Sequence, residues 1–420
     1  MARQTGRLSA GHQLQLLEGS AEFFPALNAA LDAARHEVWL ETYIFDFTST
    51  GAGVAAALER AALRGVQVRV LVDGFGCDSP PEAWKERIAR AGVHWQVYEP
   101  LGSRLRLAWP GSWRRLHRKL CVVDAALAFC GGINILDDLH DPRHGVLPAP
   151  RLDFCVRVCG PLVADIRQAM DQLWLRLPAV HGNQPQAFSE AWLPGPNKGA
   201  PGQGRESALA PEGGASAPAP SQRPLAAANA RAALLLRDNL RHRVRIERAY
   251  LQAIGRARQE VLIANAYFLP GRRLRLALER AALRGVKVRL LLQGRYEYFM
   301  QYYASRPVYA SLLRAGVSIH EYAPSFLHAK VAVIDGRWAT VGSSNLDPLS
   351  LLLAREANLV VEDSDFAGTL RERLLELIRL EGEQTDPMQY ALRPWRERVL
   401  ERVALVVMRL ALAVQGKRYL

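Results

Sequence analysis

The chain has 420 residues, 49% of them apolar, with a formal net charge of +13 and a pI near 9.8. That is length for two domains with a core each, and the basic balance favours polyanionic partners: nucleic acid, anionic lipid headgroups or phosphorylated substrates. No run reaches the ~18 apolar residues of a membrane span, the first eleven residues lack the apolar core of a signal peptide, and five cysteines without Cys-x2-Cys spacing fit a reducing, cytosolic compartment.

In chain order, Val38 to Phe45 is a short apolar run that predicts a buried strand. Val54 to Leu63 carries a helical pattern that stops at Gly65, and Val66 to Val72 predicts a second strand. A strand, helix and strand with a short return imply parallel pairing in one sheet. Leu120 to Val123 is a further short strand, and Pro161 opens a helix with Leu162, Val163, Ile166, Met170, Leu173 and Trp174 on its apolar side. From residue 193 to 228 the composition turns to Gly, Pro, Ala and Ser, which cannot bury a core and reads as a mobile linker.

The same order then recurs. Residues 277–294 match residues 57–74 at 14 of 18 positions. NAYFL (Asn265 to Leu269) answers ETYIF (Glu41 to Phe45), AGVSIHEYAP (Ala315 to Pro324) answers AGVHWQVYEP (Ala91 to Pro100), and Val331 to Ile334 is again a strand. The expectation is an α/β fold made of two duplicated domains, 1–192 and 229–392. Each is a parallel or mixed sheet flanked by helices. An approximate two-fold axis relates them, one active site lies at their interface, and a helix at 393–420 follows.

The duplication includes the chemistry. The first copy reads His117-Arg-Lys119 with Asp124 five residues on, then Gly131-Gly132-Ile-Asn134. The second reads His328-Ala-Lys330 with Asp335, then Gly342-Ser343-Ser-Asn345. Positions i and i+2 of a strand face one side, so His117 projects with Lys119 and His328 with Lys330. Neither half is complete alone. Packed about the axis they give two imidazoles flanking Lys119, Lys330, Asn134 and Asn345, which suits a phosphate diester whose charge grows in the transition state. One imidazole attacks phosphorus while the other protonates the leaving oxygen and later activates the incoming hydroxyl. Each imidazole needs its far nitrogen held, and Asp153 and Glu356 are the candidates. Asp124 and Asp335 fall on the strand face opposite the lysines and are expected to hold the scaffold. No cofactor or metal is called for.

These motifs resemble the phospholipase D superfamily, and the flanking stretches are similar to bacterial cardiolipin synthases of the B-type branch. The stretches are ETYIFD, HRKLCVVD with GGIN, RLDFCVRVCGP, LLLRDN, IERAYLQAI, IANAYFLPG and HAKVAVIDGRWATVGSSNLDPLSLLLAREANLVV. The resemblance implies phosphatidyl transfer between two phosphatidylglycerol molecules, giving cardiolipin and glycerol through a phosphatidyl-histidine. It implies His117 as nucleophile, His328 as acid and base, and an acidic partner behind each. Many relatives carry Trp before an Arg-Asp pair, where this chain reads Arg151-Leu152-Asp153. Hydrolysis by a phospholipase and nucleic-acid cleavage by a nuclease remain rivals within the superfamily.

A lipid enzyme without a span docks from one side, here the cytoplasmic face of the bacterial cell membrane. Two segments are candidates. One is Arg104 to Lys119, where Trp109 and Trp113 interleave with Arg104, Arg106, Arg114, Arg115 and Arg118. The other is the basic C-terminal helix, with Val399, Val403, Val406, Val407, Leu410 and Val414 on one face and Arg402 and Arg409 beside it. The C-terminal helix could equally pack into the core or pair with a second subunit.

Overall fold

The computed structural model describes residues 6–77, 80–100, 115–141, 144–177, 226–238, 242, 244–295, 299–347 and 354–414. The first repeat runs β1 (Ser9–Glu18), α1 (Gly19–Ala33), β2 (Glu37–Thr42), α2 (Ser49–Leu63), β3 (Gln67–Asp73), α3 (Glu82–Ala91), β4 (His94–Tyr98), β5 (Arg115–Leu116), β6 (Leu120–Val123), β7 (Leu127–Gly131), β8 (His140–Asp141), β9 (Gly145–Val146), β10 (Phe154–Cys159) and α4 (Leu162–Trp174). The second runs β11 (Ala226–Arg237), α5 (Arg245–Arg256), β12 (Glu260–Asn265), α6 (Arg272–Leu283), β13 (Lys287–Gln293), α7 (Phe299–Arg314), β14 (Ser318–Tyr322), β15 (Lys330–Ile334), β16 (Trp338–Gly342), β17 (Ala354–Glu362) and α8 (Ser364–Glu381). A short β18 (Gly382–Gln384), α9 (Pro387–Ala391) and α10 (Trp395–Val414) follow.

Both repeats belong to one sheet, ordered β18-β14-β13-β12-β15-β16-β17-β11-β1-β10-β7-β6-β2-β3-β4. From the central β11–β1 pair outwards the two arms read alike, strand for strand, until β18 is added at one edge. That pair is antiparallel, as an axis passing between its strands requires. The outer strands β2, β3, β4 and β12, β13, β14 are parallel, joined by the helical crossovers that the strand-helix-strand pattern implied. Their near-continuous apolar composition reflects burial on both faces, as in β12, where all six residues are buried.

One face of the sheet is covered by α4 and α8, whose Leu162, Ile166, Met170, Phe366, Leu370 and Leu374 share a single core with strands of both repeats. The other face carries a separate core for each repeat, built on α1 and α2 in one and on α5, α6 and α7 in the other. The shared core makes the two repeats one body. Helix α2 ends as its sequence implied, with Gly65 at φ +88°, and Gly285 repeats the conformation at φ +89°. A side chain is disfavoured in that left-handed region, so glycine stops the helix and turns the chain into β3 or β13.

Several boundaries differ from the sequence reading. Helix α2 begins at Ser49, ahead of the apolar pattern, because its first turn is Ser, Thr and Gly. Strand β11 begins at Ala226, inside the stretch assigned to the linker, because the alanine-rich composition that reads as low complexity runs on into a strand. The remainder of that stretch lies outside the described residues. The repeats also align one residue away from the ETYIF and NAYFL match. Val38 pairs with Val123 and Val68, while Val261 pairs with Ile334 and Val288, so Tyr43 corresponds to Ala266 rather than Tyr267.

All five cysteines are free thiols, and burial pushes Cys121 and Cys130 up to about 12, so they act as small hydrophobes. Among the described residues no helix is long and apolar enough to cross a membrane.

Candidate active site

The first His-x-Lys tripeptide lies in an extended link between two strands rather than within the ladder, while in the second only His328 and Ala329 stand ahead of the strand that Lys330 opens. His117 sits between β5 and β6, and His328 precedes β15. What fixes both is the other repeat. β5 pairs in parallel with the start of β17, and the His117 N–H donates to the Arg355 carbonyl at 3.0 Å. Reciprocally, Leu327 bridges to Leu152, and the His328 N–H donates to the Leu152 carbonyl at 2.8 Å. Arg355 and Leu152 are the residues immediately before Glu356 and Asp153.

The crossing carries through to the side chains. Nδ1 of His117 lies 3.0 and 3.1 Å from the two carboxylate oxygens of Glu356. Nδ1 of His328 lies 2.6 Å from Oδ2 of Asp153. Each repeat therefore holds the imidazole of the other. Both carboxylates were expected from the sequence as the partners of the two histidines, but chain order leaves open which serves which and cannot show that the pairing is exchanged. With Nδ1 donating to a carboxylate, Nε2 keeps its lone pair. The Lys119 ammonium donates to the carbonyl of His117 at 2.9 Å, and Lys330 donates to that of His328. Lys330 also lies 3.7 Å from Asp153.

The residues after β7 and β16 explain the two different carboxylates. A Cβ on Gly132 would lie 2.3 Å from Oδ1 of Asp153, so only glycine leaves room for that short acid. At the matching position Ser343 donates its hydroxyl to Glu356 at 2.5 Å, which anchors the longer chain. Asn134 accepts the Ile44 N–H at 3.3 Å. Asn345 is buried, and its carbonyl oxygen has no hydrogen-bond partner among the described residues.

Burial and like charge set the protonation states. Burial, with Lys119 and Lys330 adding to it, lowers His117 despite Glu356. Burial and the two lysines lower His328 well below the usual imidazole range. Burial foremost, then Lys330, brings Lys119 down to about 7. Burial raises Asp153 to about 6 although both lysines oppose it. The site thus holds two neutral imidazoles under a cationic field, which an arriving anion neutralises.

Asp124 and Asp335 stand away from this centre. Asp124 accepts the N–H groups of Arg35, His36 and Glu37 at 2.7 to 3.0 Å. Asp335 accepts those of Arg258, Gln259 and Glu260 at 2.8 to 2.9 Å. Both tie the motif strand to the start of the neighbouring strand from a turn at φ +51° and +50°.

Two residues of the Arg/Trp docking segment are also placed differently from the expectation. Arg118 is buried in an ion pair with Glu41 at 2.7 Å, and Arg115 lies 3.7 Å from Asp73. Arg118 is thus turned inward, and Arg115 is partly buried against Asp73 and the Phe75 ring. The rest of that segment, 104–114, lies outside the described residues. Alternation could have found Arg118, since it faces away from His117 and Lys119; Glu41 as its partner needed the β2–β6 register.

A mixed sheet doubled about an axis, with two His-x-Lys motifs exchanged across it, defines a phospholipase D-like enzyme. The phosphatidylserine synthase of Haemophilus influenzae Rd KW20 shares the fold, at a TM-score of 0.66 and 14% identity over 97% of this chain and 95% of that one. The family described as cardiolipin synthase, PLD-like domain, matches residues 27–141 and 250–378, one segment in each repeat. Cardiolipin synthase B of Escherichia coli strain K12 is 38% identical over 92% of this chain and 85% of its own length. A cardiolipin synthase of Geobacillus thermodenitrificans is 30% identical over 94% of this chain and 72% of its own. The chain belongs to the phospholipase D-like cardiolipin synthase family.

Proposed function

We propose that the chain transfers a phosphatidyl group from one phosphatidylglycerol to the terminal hydroxyl of a second, releasing glycerol and forming cardiolipin. The observation that carries the chemistry is the exchanged pair of imidazole–carboxylate contacts, His117 with Glu356 and His328 with Asp153, beside Lys119 and Lys330. In this reading Nε2 of His117 attacks phosphorus. The bond to glycerol oxygen breaks, and that oxygen takes a proton from Nε2 of His328, which gains that proton once the bound diester's charge offsets the two lysines. In the second half the acceptor hydroxyl attacks phosphorus as His328 takes its proton. The bond to His117 then breaks, and its electron pair returns to the ring. Lys119 and Lys330 stabilise the charge on the equatorial oxygens, with Asn134, Asn345, Gly132 and Ser343 supporting the pocket wall. Asp124 and Asp335 hold the strands.

The substrate is a membrane lipid, and α10 supports docking on an anionic surface at the cytoplasmic face of the cell membrane. The helix packs on α7 through Ala404 and Met408, with Glu401 paired to Arg393. Its other face leaves Trp395, Val399, Val403, Val406, Val407 and Leu410 exposed, with Arg402 and Arg409 beside them. That is the composition of an interfacial helix.

Incubation of the purified chain with phosphatidylglycerol vesicles tests the reading, with single- and double-stranded DNA and RNA in parallel. Cardiolipin and glycerol in equal amounts are expected. Phosphatidic acid as the main lipid product would make the enzyme a hydrolase. Nucleic-acid cleavage lost in His117→Ala, without lipid turnover, would make it a nuclease.

A further inference from the structure

The two sides of the site share their catalytic groups and differ in their walls. On the first-repeat side the Tyr43 ring packs against His117, centroids 4.9 Å apart, and the Lys119 ammonium lies 5.4 Å from the same ring. The strand registers put Ala266 in the corresponding place beside the second motif. A methyl there leaves open what Tyr43 closes. A cleft is present on that side, lined by Ala266, Tyr267, Gln293, Arg295, Tyr302 and Arg306 among others.

The walls also differ in charge. Asp73, at the end of β3, accepts the Leu116 N–H at 2.7 Å and faces Arg115. Its counterpart at the end of β13 is the neutral Gln293, which accepts the Leu327 N–H at 3.2 Å. Leu327 directly precedes His328, so a lining residue of the cleft is tied to the backbone next to that histidine. The Gln293 amide nitrogen is buried and finds no hydrogen-bond partner among the described residues. Two residues on, Phe75 of the first repeat is replaced by Arg295. The Arg295 Nε donates to the Ala323 carbonyl at 3.0 Å, and among the described residues no acid pairs with its guanidinium. Arg306 beside it is already paired with Glu321 at 2.5 Å and stacked on Tyr302 and Tyr309. The second wall thus presents a cation with no acidic partner among the described residues, where the first has a buried carboxylate facing Arg115.

In-line attack by His117 places the departing oxygen opposite it, on the His328 side, and the acceptor hydroxyl arrives along the same line. We infer that this cleft holds the phosphate of the acceptor phospholipid, with Arg295 as its anion-binding residue. The inference rests on the transfer reading above. The acceptor's hydroxyl oxygen bonds to phosphorus, its proton passes to Nε2 of His328, and the phosphorus–nitrogen bond breaks with its electrons returning to His117. The acceptor's own phosphate stays three glycerol carbons behind that hydroxyl, against Arg295. Water and simple alcohols carry no phosphate and gain nothing from this contact.

The test is a competition in phosphatidylglycerol vesicles with a fixed concentration of ethanol, reading cardiolipin against the summed phosphatidylethanol and phosphatidic acid. Arg295→Gln is expected to lower that ratio about tenfold, the effect of one hydrogen bond to a charged group. Arg295→Lys is expected to keep most of it. Gln293→Asp, which restores the first repeat's carboxylate beside Arg295, is expected to lower it as well. An unchanged ratio in Arg295→Gln and Gln293→Asp would overturn the assignment while leaving cardiolipin synthesis standing. A wild-type chain that makes no cardiolipin would instead overturn the transfer reading, and this inference with it.

Discussion

Asp153 is a carboxylate kept at the site at a cost to the fold, and Asp153→Asn separates the two effects. Burial raises its acid from 3.8 to about 6, so the ionised form costs about 3 kcal/mol more in the folded chain than in water. Below pH 3.8 both states are protonated and nothing is lost. Between there and about 6 the folded chain still holds a proton the unfolded chain has released, so wild-type stability falls as pH rises. Above that window the whole cost is present. The amide of the Asp153→Asn variant carries no charge and escapes it. In thermal melts at pH 4 and pH 8 the variant should match the wild type at the lower pH. At the higher it should melt about 3 °C later, the size scaling for a chain this long. Its turnover should nonetheless collapse. An amide can present its NH2 group to Nδ1 of His328 and fix the wrong tautomer, and that substitution behind a serine-protease histidine removes about 10⁴ of the rate. A variant less stable at pH 8 than at pH 4, relative to wild type, would refute the reasoning, because the ion would then be a net stabiliser.

Four further outcomes follow from the same geometry. His117→Ala and His328→Ala should each lose essentially all turnover while keeping the wild-type fold by circular dichroism, and a substantially active folded variant of either would end the single-site account. Lys119 loses its proton above about 7, so kcat/KM should fall on the alkaline side from about that pH. Lys119→Arg should move that limb beyond the measurable range whatever its height, since guanidinium does not titrate; a limb left at the same pH would assign it to another group. Arg118→Ala strands Glu41 in the interior and should cost about 3–5 kcal/mol in denaturant melts. Adding Glu41→Ala, which copies Ala264 and Ala329 of the second repeat, should recover part of that loss. Val403→Glu with Val407→Glu should weaken sedimentation with anionic vesicles, and unchanged binding would remove α10 as the docking surface.

Much of this molecule is legible in its sequence because the duplication is read twice. The repeated helix-to-strand stretch, the glycine stops at Gly65 and Gly285 and the equal spacing of the two motifs all describe local structure, where neighbours in the chain are neighbours in space. Asp124 and Asp335 were expected from alternation to face away from the lysines, and each stands in the turn just past its motif strand, where it accepts neighbouring backbone N–H groups. The failures involve distance. Nothing in the order of residues shows that Glu356 serves His117 and Asp153 serves His328, because that exchange is a property of the axis. The mispairing of Tyr43 with Tyr267 has another cause. Aromatic identity outweighed a one-residue shift that only hydrogen-bond register reveals, and the shift hid the missing ring beside His328. Arg118 looked like a membrane residue because a buried arginine and an exposed one have the same letter; Glu41, far back in the chain, decides between them.

The central claim is a single covalent site with the phosphatidyl group carried on His117. Mixing the enzyme with phosphatidylglycerol vesicles, quenching in alkali during turnover and mapping the peptides by mass spectrometry tests it directly. The expected result is one phosphorylated lipid adduct per chain, on the peptide containing His117 and absent from His117→Ala. An adduct on His328, or cardiolipin formed at full rate with no adduct on either histidine, would contradict it.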